Sequence, residues 1–293
     1  MQTPPVPAPT FCADLHAHTT ASDGALSPVE LVERAAARGV THLAVTDHDT
    51  TAGVVAAQEA AHQAGTLRVI AGVEVSTLWQ GREIHLVGLG LQGHPVLQQG
   101  LAYQQAQRWE RAEAIVARLA RSGLGGAETV IHRRGADAPG RSHFADWLVA
   151  QGAVRDRPQA FKRYLGRQGR AWVRPGWVSL ETAVRWIHLA GGRSVLAHPY
   201  AYGMTGAWLR RLCEAFTGAG GEAIEVVTGR TTPTQVRDAL GLSLRHRLAA
   251  SCGSDFHAPG TGLEPGHLAP LPDAARPLWD HAPELLTAHS PGA

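Results

Sequence analysis

Short apolar runs that end on or carry a histidine or an acidic residue recur along this chain. Residues 11–15, 43–46, 67–71, 84–88, 194–197 and 248–251 are four or five residues long, aliphatic or β-branched, and read as strands. Ala-rich stretches of helical character separate most of them. Ser27-Pro28-Val29-Glu30 is a capping box with proline at the first helical position, predicting a helix to residue 38 that Gly39 stops. A second clear helix is predicted over 179–190, closed by Gly191-Gly192. Strands alternating with helices are the pattern of βα units around a parallel sheet or barrel.

One segment breaks the rhythm. Residues 92–169 contain no strand pattern and turn rich in Gln, Arg and Ala. A long amphipathic helix is predicted over 98–121, with shorter ones at 127–133, 142–151 and 158–165. The expected organisation is a barrel from 11–91 and 170–286, with 92–169 inserted as a helical subdomain. A Pro-rich leader (1–10) and a short tail (287–293) flank it. Inserted helices over a barrel mouth suit a lid or a substrate-selecting wall.

The polar residues at these strands are metal-ligand types. His16 and His18 are two apart, so on a strand they share a face and can grip one ion. Two structural histidines would explain that pair alone. The signal repeats, however, with Asp23 after a turn, His48 after 43–46, Glu74 after 67–71, His85 within 84–88, His198 after 194–197, and Asp255 and His257 after 248–251. In βα folds the C-terminal strand ends converge on one mouth, which would bring these residues together. Six imidazoles and three carboxylates exceed the needs of one zinc ion and suit three ions if one carboxylate bridges two. Three divalent ions against three carboxylates leave an inner shell about three positive, which favours a multiply charged anion such as phosphate. Mixed nitrogen and oxygen ligation fits Mn2+, Fe2+, Co2+ or Zn2+.

Composition narrows the classes. The 293 residues allow one substantial barrel with an insertion. A net charge of +2 does not mark a bulk nucleic-acid binder, so positive potential would have to be local. The three cysteines are widely spaced, which fits a reducing cytoplasm. No apolar run reaches spanning length, so no membrane partner is expected. The leader lacks the basic start and apolar core of a signal peptide.

Taken in order, His16-x-His18, Asp23, Asp47-His48, Glu74, His85, His198-Pro199 and Asp255-x-His257 resemble the full motif set of the PHP (polymerase and histidinol phosphatase) family. The resemblance runs from residue 11 past His257. It implies an α/β fold, a distorted seven-stranded barrel, with three divalent metal ions. By position, the first ion would take His16, His18, Glu74 and Asp255. Glu74 would bridge to a second held by His85 and His198, and the third would take Asp23, His48 and His257. Arg141-Ser142-His143 resembles the Arg-x-His opening a helix in the branch that removes the 3′-phosphate of nucleoside 3′,5′-bisphosphates. Relatives in that branch are 5′→3′ exoribonucleases of the RNase AM type.

The expected function is therefore metal-dependent phosphoester hydrolysis, with Mn2+ the first choice of metal. The substrates would be a nucleoside bisphosphate or a short 5′-phosphorylated RNA, with no obligate protein partner. A hydroxide bridging the ions held by His16, His18, Glu74 and Asp255 would attack phosphorus in line. Arg141 and His143, with Lys162 and Arg163 further on, are the candidate phosphate-binding residues, and His143 is also a candidate acid for the leaving oxygen. A histidinol-phosphate-type phosphatase is the enzymatic alternative. A nucleotide- or RNA-binding protein keeping metals only for structure is the non-enzymatic one. An amidohydrolase with a carbamylated bridging lysine fits poorly, because the only lysine, Lys162, lies in the insert. Asp47 or Asp49 is expected to hydrogen-bond a ligand and Glu225 to pack or support the site. His94, His188 and the tryptophans, Trp177 included, are expected to be structural.

Overall fold

The computed structural model describes residues 11–65, 67–134 and 138–287; the leader (1–10) and the tail from 288 lie outside the described residues. Strand β1 (Ala13–Ala17) leads to helix α1 (Pro28–Ala37), where the predicted capping box forms: Ser27 and Glu30 satisfy each other's backbone N–H groups. Strand β2 (His42–Val45), helix α2 (Val54–Ala64) and strand β3 (Arg68–Trp79) complete two βα units, with β1, β2 and β3 parallel.

The next connection departs from the expected parallel pattern. β3 runs on for 12 residues and turns back at Gln80-Gly81 into β4 (Arg82–Leu89), which is antiparallel to β3. Both turn residues have positive φ (50° and 69°), the backbone that lets a two-residue loop follow the strand twist. Glu74 therefore sits in mid-strand and His85 early in β4, not at C-terminal strand ends. Ser76 pairs with His85 and Glu74 with Val87, so Glu74 and His85 are diagonal neighbours on one face.

Helices then occupy the chain up to the barrel's return. α3 (Pro95–Arg121) starts earlier than predicted because His94 Nδ1 accepts the Val96 N–H as its N-cap. α4 (Glu128–Arg134), α5 (Arg141–Ala150) and α6 (Arg157–Ala160) follow, the last continuing as a π turn at Phe161–Leu165. Ile115, Leu119, Phe144, Leu148 and Leu165 form a core of their own among these helices. Strand β5 (Val178–Ser179) adds beside β3, and α7 (Leu180–Leu189) leads to β6 (Arg193–Leu196).

β6 pairs antiparallel with β4, then α8 (Gly206–Gly218), β7 (Ala223–Thr228), α9 (Pro233–His246) and β8 (Ala249–Gly253) restore the βα rhythm. The strand order is β1-β2-β3-β4-β6-β7-β8. The segment after β8 returns to β1: Asp255 N–H donates to the His16 carbonyl (2.9 Å) and His18 N–H to the Phe256 carbonyl (3.0 Å). The result is a nearly closed seven-stranded barrel. Leu15, Ile70, Val87 and Val195 fill it, and Leu278 of helix α10 (Leu278–His281) with Leu285 joins the same cluster. Further apolar clusters lie between the strands and the outer helices. Among the described residues no helix is long and apolar enough to cross a membrane.

Candidate metal centre

The nine candidate ligands meet at one end of the barrel. His16 and His18, on and just past β1, bring their Nε2 atoms within 3.1 Å of each other, and both lie 3.3 Å from Glu74 Oε2. Asp255 Oδ1 is 3.4 Å from His18 Nε2. The other Glu74 oxygen, Oε1, is 2.9 Å from His85 Nδ1 and 2.8 Å from His198 Nε2. Asp23 Oδ1 is 3.3 Å from His257 Nε2 and 3.8 Å from His48 Nε2. Among the described residues the ligand atoms fall into four overlapping groups: His18, Asp23, His48 and His257; His16, His18 and Asp255; His16, Glu74 and His198; and His48, Glu74 and His85, so that His48 reaches Glu74 (2.9 Å) as well as Asp23.

Supporting hydrogen bonds aim several of these side chains. His16 Nδ1 donates to Glu225 on β7 (2.8 Å), which leaves its Nε2 lone pair facing the cluster. Glu225, expected to pack or support, also accepts the backbone N–H of His198. His257 Nδ1 donates to the Asp255 carbonyl (2.9 Å), leaving Nε2 toward Asp23. The expected direct bond from Asp47 or Asp49 to a ligand side chain is replaced by longer links. Asp47 accepts from Ser22 Oγ (2.6 Å), which lies 3.5 Å from His18 Nδ1. Asp49 holds Arg108 and the Ser76 N–H.

The donor set fits divalent cations. Asp23 Oδ1, Glu74 Oε2, His48 Nδ1 and His198 Nδ1 are buried and make no well-aligned hydrogen bond, although His48 Nδ1 lies 2.9 Å from Glu74 Oε2. Two imidazole nitrogens face each other at 3.1 Å, a contact in which at most one carries a proton. Buried polar atoms left so are costly unless a cation satisfies them. Burial pushes the carboxyls of Asp23, Glu74 and Asp255 up, but the surrounding histidines outweigh it and hold all three below the usual range. They are thus ionised, the state a metal ligand needs.

A cavity of about 170 Å³ opens beside this cluster, lined by Asp23, His48, His85 and His257 on one side and by helices α3 and α5 on the other. Its far wall is cationic and aromatic. Arg141, Arg108 and Arg111 line it together with Trp177 and Phe161. Glu83 on β4 ties three of them: its carboxylate receives Arg111 at 3.0 Å, Arg141 at 2.8 Å and Trp177 Nε1 at 2.8 Å, while Arg108 pairs with Asp49 (2.6 Å). Burial would raise the Glu83 carboxyl, but Arg141 and Arg111 hold it far below the carboxylate range. Arg111 is itself buried, with Nε and Nη2 unpartnered, and burial brings its guanidinium down to about 10. Gln104, Arg108 and Arg111 are spaced i, i+4, i+7, so one face of α3 delivers them. That spacing was the available signal for Arg108 and Arg111, which sequence reasoning missed because charged residues on a helix ordinarily face solvent.

The other candidate phosphate-binding residues divide. Arg141 opens α5, and Ser142 Oγ donates to Asp23 Oδ2 (2.8 Å), docking this helix start on the ligand cluster. His143 is not part of the cavity lining; its Nδ1 accepts the Gly140 N–H (3.0 Å) at the helix start. Lys162 and Arg163 are exposed and line neither this cavity nor the cluster, while their neighbour Phe161 does line the cavity. Trp177, expected in the core, is both buried and part of the cavity wall.

Comparison with known proteins follows this geometry. A family model described as the PHP domain matches residues 14–123. The 5′-3′ exoribonuclease Rnm of Salmonella typhimurium is 41% identical over 269 residues, covering 91% of this chain and 92% of that protein. The 3′,5′-nucleoside bisphosphate phosphatase of Chromobacterium violaceum is 43% identical over 271 residues, covering 91% and 94%. A Bifidobacterium adolescentis structure assigned as a metal-dependent phosphoesterase superposes with a TM-score of 0.78 at 28% identity, over 95% of this chain and 96% of that one.

Proposed function

The chain belongs to the PHP family of metal-dependent phosphoesterases, and from that premise we propose that it removes the 3′-phosphate of nucleoside 3′,5′-bisphosphates and trims short 5′-phosphorylated RNA in the 5′→3′ direction at the same site. One observation carries this reading. The cavity is lined on one side by the metal-ligand cluster and on the other by Arg108, Arg111 and Arg141 with Trp177 and Phe161 beside them. A nucleoside bisphosphate has two phosphates separated by a sugar and a base, and its groups match those walls. The relatives named for these two activities supply the substrate class.

In this reading His16, His18, Glu74 and Asp255 hold one divalent ion, Glu74, His85 and His198 a second, and Asp23, His48 and His257 a third, with Mn2+ the preferred metal. When bound, such ions lower the pKa of water and offset charge on phosphoryl oxygens. The chain's own residues do the rest. Arg111, with two unpartnered guanidinium nitrogens, and Arg141 at the α5 start receive the 5′-phosphate. Trp177 and Phe161 flank the nucleoside, each already carrying an arginine over its ring. The ion pairs at Glu83 fix these donors before substrate arrives, so binding costs little reorganisation. The helical insert, 92–169, is thus the substrate-binding unit and the barrel the chemical one. Three free cysteines suit action in a reducing cytoplasm.

The test is phosphate release in Mn2+ from adenosine 3′,5′-bisphosphate, histidinol phosphate and a 5′-phosphorylated oligoribonucleotide. Preference for the bisphosphate and stepwise mononucleotide release from the RNA are expected. Preference for histidinol phosphate would overturn the proposal.

A further inference from the structure

A second cavity, of about 130 Å³, touches the metal-ligand cluster from the opposite ligands. The substrate cavity described above meets Asp23, His48, His85 and His257, whereas this one meets His198 and Asp255. Its other walls include Tyr200 from the segment after β6, Thr228 at the end of β7, Arg230 in the turn that follows and Gln235 in the first turn of α9. Hydrogen bonds between Thr228 and Thr231 order that turn: the Thr228 N–H donates to Thr231 Oγ1 (3.0 Å) and Thr231 Oγ1 to the Thr228 carbonyl (2.9 Å). Among the described residues Arg230 has no ion-pair partner, and its side chain is exposed.

Resting on the function proposed above, we infer that this second cavity receives the downstream nucleotide of an RNA substrate, with Arg230 reading its phosphate and Tyr200 offering a ring to its base. The chemistry requires a second opening. In both substrates the bond broken joins phosphorus to the 3′ oxygen of the 5′-terminal nucleotide. Water gives its oxygen to phosphorus, and the 3′ oxygen leaves with a proton. In a bisphosphate every other phosphoryl oxygen is free. In RNA one of them is esterified to the rest of the chain, which cannot re-enter a cavity already filled by the terminal nucleoside. The chain must leave the cluster elsewhere, and the opening beside His198 and Asp255 adjoins it directly. A cationic side chain and an aromatic ring are the pair that single-stranded nucleic acid uses without regard to sequence.

Arg230→Glu and Tyr200→Ala test this. The ratio of kcat/KM for a 5′-phosphorylated tetraribonucleotide to that for adenosine 3′,5′-bisphosphate should fall about tenfold or more in each, mainly through KM for the RNA. Fluorescence anisotropy on metal-stripped protein should show weaker binding of the tetraribonucleotide by Arg230→Glu, with a salt-dependence slope smaller by about one. Arg167→Glu and Arg174→Glu, in a separate arginine-lined cavity on the other side of the Arg141–Glu83 pair, serve as comparison. A ratio unchanged in Arg230→Glu while wild-type protein cleaves RNA overturns this inference alone. So does a selective loss in the Arg167 or Arg174 variant instead, since the strand would then run that way. No RNA cleavage by wild-type protein overturns the trimming activity itself and this inference with it.

Discussion

Asp255 and His198 adopt positive φ values, 55° and 26°, in a region that side chains other than glycine rarely occupy. The Asp255 N–H bond to the His16 carbonyl helps hold that backbone against the preference. That backbone puts Asp255 Oδ1 3.7 Å from His16 Nε2 and His198 Nε2 2.8 Å from Glu74 Oε1. Asp255→Asn keeps shape and removes charge, so turnover should fall by about 100-fold or more while the far-UV circular dichroism of the protein stays that of the wild type. Retained turnover would remove Asp255 from the site. Arg111→Met should lower kcat/KM for the bisphosphate by about 10- to 100-fold, and Arg111→Lys should restore little, since an ammonium lacks the planar fork. Equal activity in the methionine variant would show that the buried guanidinium serves only Glu83. His16-x-His18 was readable because two-residue spacing on a strand has one geometric meaning. Arg111 was not, because its burial depends on which face α3 turns to β4.

At the scale of elements, β8 can lie against β1 only because Gly253 has no side chain. A Cβ there would stand 2.3 Å from His16 Cβ. Gly253→Ala should therefore displace the first ligand strand and cost about 1–3 kcal/mol in denaturant unfolding; an unchanged midpoint would mean that the strands part freely. The helices from α3 to α6 have their own apolar core, and Leu119 is fully buried in it. Leu119→Ala should cost about 2–5 kcal/mol there. Hydrogen exchange should quicken in α3, α4 and α5 while amides of β1 and β7 stay protected. Uniform loss of protection would show that insert and barrel unfold as one. The insert was legible as a gap in the strand pattern. The β3–β4 hairpin is less legible: Gln80-Gly81 between two apolar runs is a turn signal, but Glu74 interrupts the run and looks like a strand end.

Across the whole molecule, fold stability and metal occupancy are expected to be linked, since the candidate ligands come from β1, β3, β4, the segments after β2, β6 and β8, and the loop before α1. Chelation should lower Tm, and Mn2+ should raise it in a concentration-dependent way. The pH dependence has a definite sign. Burial disfavours charge on His257, yet Asp23 and Asp255 more than compensate and raise it to about 10 in the metal-free protein. Its protonation then stabilises the metal-free fold fully below about 6.5, and that contribution is lost as pH rises through about 10. A cation must displace this proton, so loading at pH 7 should release protons, measurable by calorimetry in buffers of different ionisation enthalpy. Loading without proton release would exclude His257 as a ligand.

The sequence by itself determined the inventory and order of the candidate ligands, the βα framework, the run of helices before β5 and the family, because each is written in local spacing that a few residues carry. Only the tertiary structure decided that β4 runs antiparallel and sets His85 diagonally from Glu74. It alone decided that Arg111 and Arg141 gather on Glu83 while Arg108 pairs with Asp49, and that Lys162 and Arg163 do not join them. Those outcomes depend on contacts between residues far apart in the chain, where the packing of α3 and α5 over the barrel mouth, not local propensity, chooses which charges lose their water.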